Sequence, residues 1–221
     1  MLLINPSFTI EGISCPEEEV LQYIEKIGRT CYKSEDKITP RSSVKFVSGI
    51  IKRGHESVLE HVNIGVRFII DRGVSHELVR HRLCAFSQES TRYCNYSGGV
   101  TFIIPPWIDL QPRKYSYVEE GHSISNDIGT AVWFDTMIDA ELNYRDLLER
   151  AKWTPQQARI VLPNSLKTEI VTTTNLREWR HILKLRTSSA AHPQIREVMS
   201  PLLCELQNRI PVIFDNIAVK E

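Results

Sequence analysis

The chain has 221 residues, 42% of them hydrophobic, and its 27 Lys and Arg residues balance 27 Asp and Glu residues. That length and composition suit one domain over 1–221 with a sizeable core, and the balanced charge excludes the broad basic field of a protein held on nucleic acid. No apolar run approaches the roughly 18 residues of a membrane span, the opening Met-Leu-Leu-Ile-Asn-Pro lacks a basic leader segment, and the five cysteines form no Cys-x-x-Cys pair. The expectation is a soluble cytoplasmic protein with free thiols and neither a membrane nor a nucleic-acid partner.

Leu2 to Ile4 is short, apolar and stopped by Pro6, which suits a first strand. Pro16 opens a helix with Glu17, Glu18 and Glu19 at its positive end and Val20, Ile24 and Ile27 at helical spacing. Ser34 to Thr39 reads as a loop. Ser42 or Ser43 then caps a second helix through Val44, Phe46, Val47, Ile50 and Ile51, ended at Gly54. Directly after it comes Gly54-His55-Glu56-Ser57-Val58-Leu59-Glu60-His61. Two histidines and two glutamates suggest metal, but the offset from His55 to His61 does not align them on one helical face, and no third ligand lies nearby. No metal site is expected, and a histidine satisfied by hydrogen bonds beside a helix end is the plainer reading.

Val62 to Ile70 alternates as a strand with one buried face. Asp71-Arg72-Gly73 turns the chain, and a helix from about Val74 sets Glu77, Arg80 and His81 at i, i+3 and i+4. The run from Arg80 to Tyr93, Arg-His-Arg-Leu-Cys-Ala-Phe-Ser-Gln-Glu-Ser-Thr-Arg-Tyr, packs three arginines beside a single carboxylate, Glu89. Burying guanidinium groups is costly unless anions meet them. The surplus suits a phosphorylated ligand, because the arginine fork matches phosphate; a charge network with carboxylates from elsewhere in the fold is the alternative. Neighbouring side chains on a helix are splayed by about 100°, so Arg80, His81 and Arg82 must address more than one surface. Phe86 to Asn95 reads as a loop.

Gly98-Gly99 is a turn, Val100 to Ile104 a strand closed by Pro105-Pro106, and Trp107 to Ser123 an irregular excursion. From about Asp127 to Ala151, Ile128, Val132, Met137, Ile138, Leu142, Leu147 and Leu148 recur at helical intervals, for core or oligomer contact. Thr154 and Pro155 make a helix start. The lone Arg159 in the apolar run Ala158 to Leu162 calls for an anionic partner, either a ligand or a buried carboxylate. Thr168 to Thr174 is a β-branched strand, Asn175 caps a helix through Trp179, Ile182, Leu183 and Leu185, and Pro193 starts a last one. Strands and helices do not alternate as a doubly wound fold demands, so the class is α+β, with helices packed on a small mixed or antiparallel sheet.

Arg80-His81-Arg82, seven intervening residues and Ser90, extended by Arg92-Tyr93, resemble the signature of flavin-dependent thymidylate synthases. The Gly-His-Glu-Ser-x-x-Glu-His run at 54–61, Ala158-Arg159-x-x-Leu162-Pro163 and the Asn175 to Arg186 helix resemble that family's other blocks in the same order. The resemblance implies the family's fold and the reductive methylation of dUMP to dTMP without a protein nucleophile. Its carbon donor would be 5,10-methylenetetrahydrofolate, with NADPH reducing FAD, in a homotetramer with sites at subunit interfaces. It implies dUMP contacts at Glu77, Arg80, Gln88, Ser90, Arg92, Arg159 and Arg186. FAD contacts are implied at His55, Ser57, Arg80, His81, Arg82, Gln88, Asn175, Arg177 and His181, and a part in the reaction for Arg186, Ser90 and His55. The chain departs from the pattern at Ser87-Gln88, where many members have Asn-Glu, at Glu77, where glutamine is common, and at His181, where some have asparagine. Three other classes compete: a cysteine-nucleophile synthase using Cys84 or Cys94, a metal-dependent nucleotide hydrolase on His55, Glu56, Glu60 and His61, and a nucleotide-binding regulator.

Overall fold

The computed structural model describes residues 1–116 and 124–218, so 117–123 of the irregular excursion lie outside the described residues. The elements are β1 (Leu2–Ile4), β2 (Ser7–Ile13), α1 (Val20–Thr30), α2 (Ser42–Lys52), β3 (Asn63–Asp71), α3 (Arg72–Leu78), β4 (Ala85–Gln88), β5 (Thr101–Ile103), α4 (Ile128–Glu149), α5 (Pro155–Ala158), β6 (Lys167–Asn175), α6 (Leu176–Arg186) and α7 (Pro193–Arg209). The class is α+β, as expected. β1 and β5 form a parallel pair, and a second sheet runs in the order β2-β3-β6-β4. In its central strands β3 and β6 buried residues alternate with partly exposed ones, the period-2 pattern of a sheet with one packed face.

The chain divides into two compact units. One comprises Met1–Ser7, Phe68–Arg80 and Ser87–Ile170. Its core gathers Leu3 and Phe102 from the parallel pair with Phe134, Met137, Ile138 and Tyr144 of α4 and Leu166. The sequence stripe on α4 is corrected here: Ile128, Val132 and Leu142 are exposed, and the buried face instead includes Thr130 and Glu141. Glu141 is tolerated inside because its carboxylate accepts the Val100 amide at 2.8 Å and pairs with the Met1 amino group at 2.6 Å.

The other unit comprises Phe8–Arg67, His81–Phe86 and Val171–Glu221. Here α1 packs on α2, and α6 packs on α7 and on a 3-10 turn at Glu56–His61. Trp179 is wholly buried and donates its indole N–H to the Ile64 carbonyl at 3.0 Å, tying α6 to β3.

Two local readings change, and one strand without a sequence signal is added. Ser7–Ile13, which shows little apolar signal, is a strand because the sheet supplies its hydrogen bonds at an edge position. Ala85–Gln88 is likewise an edge strand rather than loop. Asp71 does not merely turn the chain: its carboxylate accepts the Val74 amide at 2.8 Å and caps α3, which ends at Leu78. His81 therefore does not share a helical face with Glu77.

Candidate active site

The first group of candidate residues is built on α6 and the turn that packs against it. Asn175 Oδ1 accepts the Glu178 amide at 2.9 Å and starts the helix. Gly54 takes φ +73°, a conformation that favours glycine, and lets the chain leave α2, with the His55 amide donating back to the Ile50 carbonyl at 2.9 Å. His55 and Ser57 consequently stand exposed on the turn beside α6. The carboxylates of this run are committed to arginines. Glu56 Oε1 accepts from Nε and Nη2 of Arg180 at 3.2 and 2.9 Å. Arg180 is 1% exposed and also donates to Asn216 Oδ1 at 2.9 Å and to the Ile213 carbonyl. Glu60 pairs with Arg177 at 2.5 Å. The metal-hydrolase reading loses both of its carboxylates.

His81 is 6% exposed, and its Nε2 accepts from Arg186 Nε at 3.0 Å. Its Nδ1 lies 3.6 Å from Glu178 Oε1, and the His181 ring stands edge-on at 5.9 Å. Burial, then the Arg186 charge, then His181 push the His81 pKa down to about 4, so the ring is neutral at physiological pH. His81, Glu178 and His181 place ligand atoms within 4.8 Å of one another, the one such His/Cys/Asp/Glu grouping among the described residues. The Arg186 guanidinium on His81 repels a cation there and occupies one ring nitrogen. Cys84 lies nearby, where burial pushes its thiol up to about 11 against the hydrogen bond from Thr174, with Glu178 adding to the rise. A thiol so held is poorly activated as a nucleophile.

The depressed His81 pKa has a sign that can be measured. The neutral ring contributes stability fully above its ordinary value near 6.5, and that contribution is lost as pH falls toward about 4. Urea unfolding between about pH 7 and pH 5 is expected to show a larger loss of stability in the wild-type protein than in His81→Gln, whose side chain does not titrate. Equal slopes would place the proton elsewhere.

The second group lies in the other unit, on β4 and the turn after it. Gln88 Nε2 donates to Ser75 Oγ at 3.0 Å and to Thr168 Oγ1 at 3.1 Å. A carboxylate could donate neither bond, which gives the Gln88 departure a physical reason. Glu89 accepts from the Tyr96 hydroxyl at 2.6 Å and from Lys167 Nζ at 2.8 Å, and its amide donates to the Glu169 carbonyl at 2.8 Å. Burial and the Glu89 contact hold Tyr96 well above the ordinary phenol pKa.

Beyond this anchor the Ser90 carbonyl accepts the amides of Tyr93 and Cys94, and Ser90 Oγ accepts the Arg92 amide at 3.3 Å. Arg92 Nε donates to Gln156 Oε1 at 3.1 Å, and Arg159 Nη1 donates to Thr91 Oγ1 at 3.0 Å. The turn and the end of α5 thus bring Arg92 and Arg159 together. The buried salt bridge considered for Arg159 is absent among the described residues, because this arginine is exposed and its partner is a hydroxyl. Arg80 and Arg82 are exposed as well. Among the described residues no carboxylate lies within ion-pair distance of Arg80, Arg82, Arg92 or Arg159.

The unit boundary falls between Arg80 and His81, so the expected residues form two sets. Glu77, Arg80, Gln88, Ser90, Arg92 and Arg159 belong to one, and His55, Ser57, His81, Arg82, Asn175, Arg177, His181 and Arg186 to the other. Sequence reasoning missed Glu178, Arg180, Tyr96 and Lys167. The only sequence signal for Glu178 was its i,i+3 spacing to His181 in the first turn of a helix.

The family of thymidylate synthase complementing proteins matches residues 17–212, and a flavin-dependent thymidylate synthase of Corynebacterium glutamicum is 35% identical over 204 residues, covering 89% of this chain and 79% of that protein. The chain belongs to the flavin-dependent thymidylate synthase family. It is an enzyme of that family, and a further member from Mycobacterium avium is 32% identical over 202 residues with the same coverage. The fold agrees: thymidylate synthase X from Helicobacter pylori, solved with FAD and dUMP, has a TM-score of 0.72 at 20% identity, covering 98% of this chain and 100% of that one. The UMP/dUMP methylase PolB from Streptomyces cacaoi, solved with 5-Br dUMP, has a TM-score of 0.75 at 22% identity, covering 97% and 96%.

Proposed function

We propose that this enzyme converts dUMP to dTMP by reductive methylation, taking the one-carbon unit from 5,10-methylenetetrahydrofolate, with NADPH as the reductant of bound FAD. The observation that carries the reading is the set of guanidinium groups at Arg80, Arg92 and Arg159 with no carboxylate to meet them among the described residues, in a chain whose total charge is balanced. Phosphate suits such groups. The relatives named as flavin-dependent thymidylate synthases, and the fold neighbours holding FAD with dUMP or 5-Br dUMP, favour a uridylate over other anions.

In this reading Arg80, Ser90, Arg92 and Arg159 hold the nucleotide phosphate, Glu77 and Gln88 meet the base, and Arg186 polarises the uracil. The donor set of this unit suits a dinucleotide: the guanidinium groups of Arg82 and Arg177, the His181 ring, the amide of Asn175, and the exposed His55 and Ser57. His81, Arg80 and Gln88 complete the flavin contacts. When bound, the flavin supplies the hydride that completes the methyl group. The protein orients the reactants and balances their charge. C5 of the base exchanges its proton for the methylene carbon plus that hydride, and no protein bond forms. In support, Cys84 is held as a thiol, and Ser90 Oγ is engaged with a backbone amide. Function as a single domain, in a cytoplasmic homotetramer with sites shared between subunits, belongs to the same proposal.

The test is direct. Purified protein is expected to be yellow, to bleach on anaerobic addition of NADPH, and to place label from methylene-tetrahydrofolate into dTMP. Variants with each cysteine replaced, and Ser90→Ala, should retain methyl transfer above background. Abolished transfer in any variant that still binds dUMP and FAD normally would reinstate a protein nucleophile.

A further inference from the structure

We propose that Glu178 is a positioning residue: it secures the Nδ1–H tautomer of His81 that the bond from Arg186 requires, and through that ring it aims the guanidinium of Arg186. The inference rests on the role given to Arg186 above. Arginine stays protonated, so Arg186 Nε always presents a hydrogen to His81 Nε2 at 3.0 Å. That nitrogen must offer a lone pair. In a neutral ring the proton then sits on Nδ1, which faces Glu178 Oε1 at 3.6 Å.

The surroundings make this arrangement selective. His81 and Glu178 are both buried, so water competes little for either group. Glu178 lies in the first turn of α6, an 11-residue helix, where the aligned peptide dipoles favour its negative charge. The Asn175 cap on its amide fixes that turn. Arg186 ends the same helix, eight residues or roughly 12 Å further along, and helical side chains lean toward the N-terminus. His81, arriving from outside the helix, therefore bridges the two ends of α6. Both partners favour Nδ1–H, Arg186 by donating to Nε2 and the buried Glu178 by facing Nδ1 with an acceptor.

Glu178→Gln tests this because it keeps the shape of the carboxylate and adds a donor. Its amide can give a hydrogen to Nδ1, which moves the ring proton to Nε2 and breaks the bond from Arg186. The ¹⁵N spectrum of the holoenzyme is expected to show His81 as Nδ1–H in the wild type and to lose that preference in E178Q. kcat/KM for dUMP should fall by about 10- to 100-fold, the size of effect seen when the partner orienting a functional histidine is removed, with flavin content unchanged. The double variant E178Q/H81Q should lose no more than His81→Gln alone. Where E178Q folds poorly, Glu178→Asp, which retracts the carboxylate but keeps its charge, is read in the same spectra and should weaken the Nδ1–H preference.

Three results overturn the proposal: Nε2–H in the wild type, an unchanged tautomer and kcat/KM in both Glu178 variants, or stoichiometric zinc binding at His81 that E178Q abolishes. A tautomer that shifts as expected in a protein unable to bind dUMP would uphold the coupling and refute the uridylate reading instead.

Discussion

Replacing Arg186 by alanine is expected to lower kcat/KM for dUMP methylation by about 10²–10³-fold, the usual loss when one fixed donor to a developing negative charge is removed. The expectation comes from its setting. Arg186 ends α6 and is tethered at Nε by His81, so its outer nitrogens are presented in a fixed orientation. Because Arg186 is the second largest influence lowering the His81 pKa, its loss should also let that pKa rise from about 4. Arg186→Lys keeps the charge but replaces the planar fork with a point charge and loses the tether, so it should recover little. Steady-state rates with flavin occupancy measured alongside check both variants. Wild-type rates in Arg186→Ala would mean that the uracil is polarised by another group.

The largest stability effect is expected at the pair of Glu56, which the sequence offered as a metal ligand, and Arg180, which it did not single out. Arg180 is 1% exposed, and Glu56 is the carboxylate that meets it, at 2.9 Å. Glu56→Ala leaves a buried guanidinium with neutral partners at Asn216 and the Ile213 carbonyl. Stranding one charge of a buried pair costs about 3–5 kcal/mol. Arg180→Met should cost distinctly less, because the Glu56 side chain remains 19% exposed and can be hydrated. Urea unfolding of the two single variants and the double variant gives the coupling between them. A Glu56→Ala protein as stable as wild type, or one restored by added zinc, would show that Arg180 does not depend on this carboxylate.

The parts of the fold legible in the sequence are those whose burial writes a period into it. β3, β6, α1, α2 and α7 bury one face, so apolar residues recur at two or at three and four. The edge strands β2 and β4 bury little and are held mainly by backbone hydrogen bonds that leave no side-chain pattern. The end of α3 was hidden for a related reason. Nothing in residues 79–81 marks a stop, but His81 is drawn into a partly buried bond with Arg186 from distant sequence.

The candidate site divides in the same way. Residue identity sufficed to mark the arginines as anion ligands, because an excess of guanidinium over local carboxylate is a count along the chain. Which arginines were already matched could not be counted. Arg177 and Arg180 proved to be paired with Glu60 and Glu56, residues more than a hundred positions away, whereas among the described residues Arg92 meets a side-chain amide and the Tyr93 ring, and Arg159 a hydroxyl.

By itself, then, the sequence determined the α+β class, the family and the chemistry its side chains favour, since these follow from residue type, order and local period. Only the tertiary structure decided the charge state of His81, the inertness of Cys84 and the pairing of Glu56 with Arg180. Each of those depends on desolvation and on partners within about 4 Å, and the folded chain alone sets both.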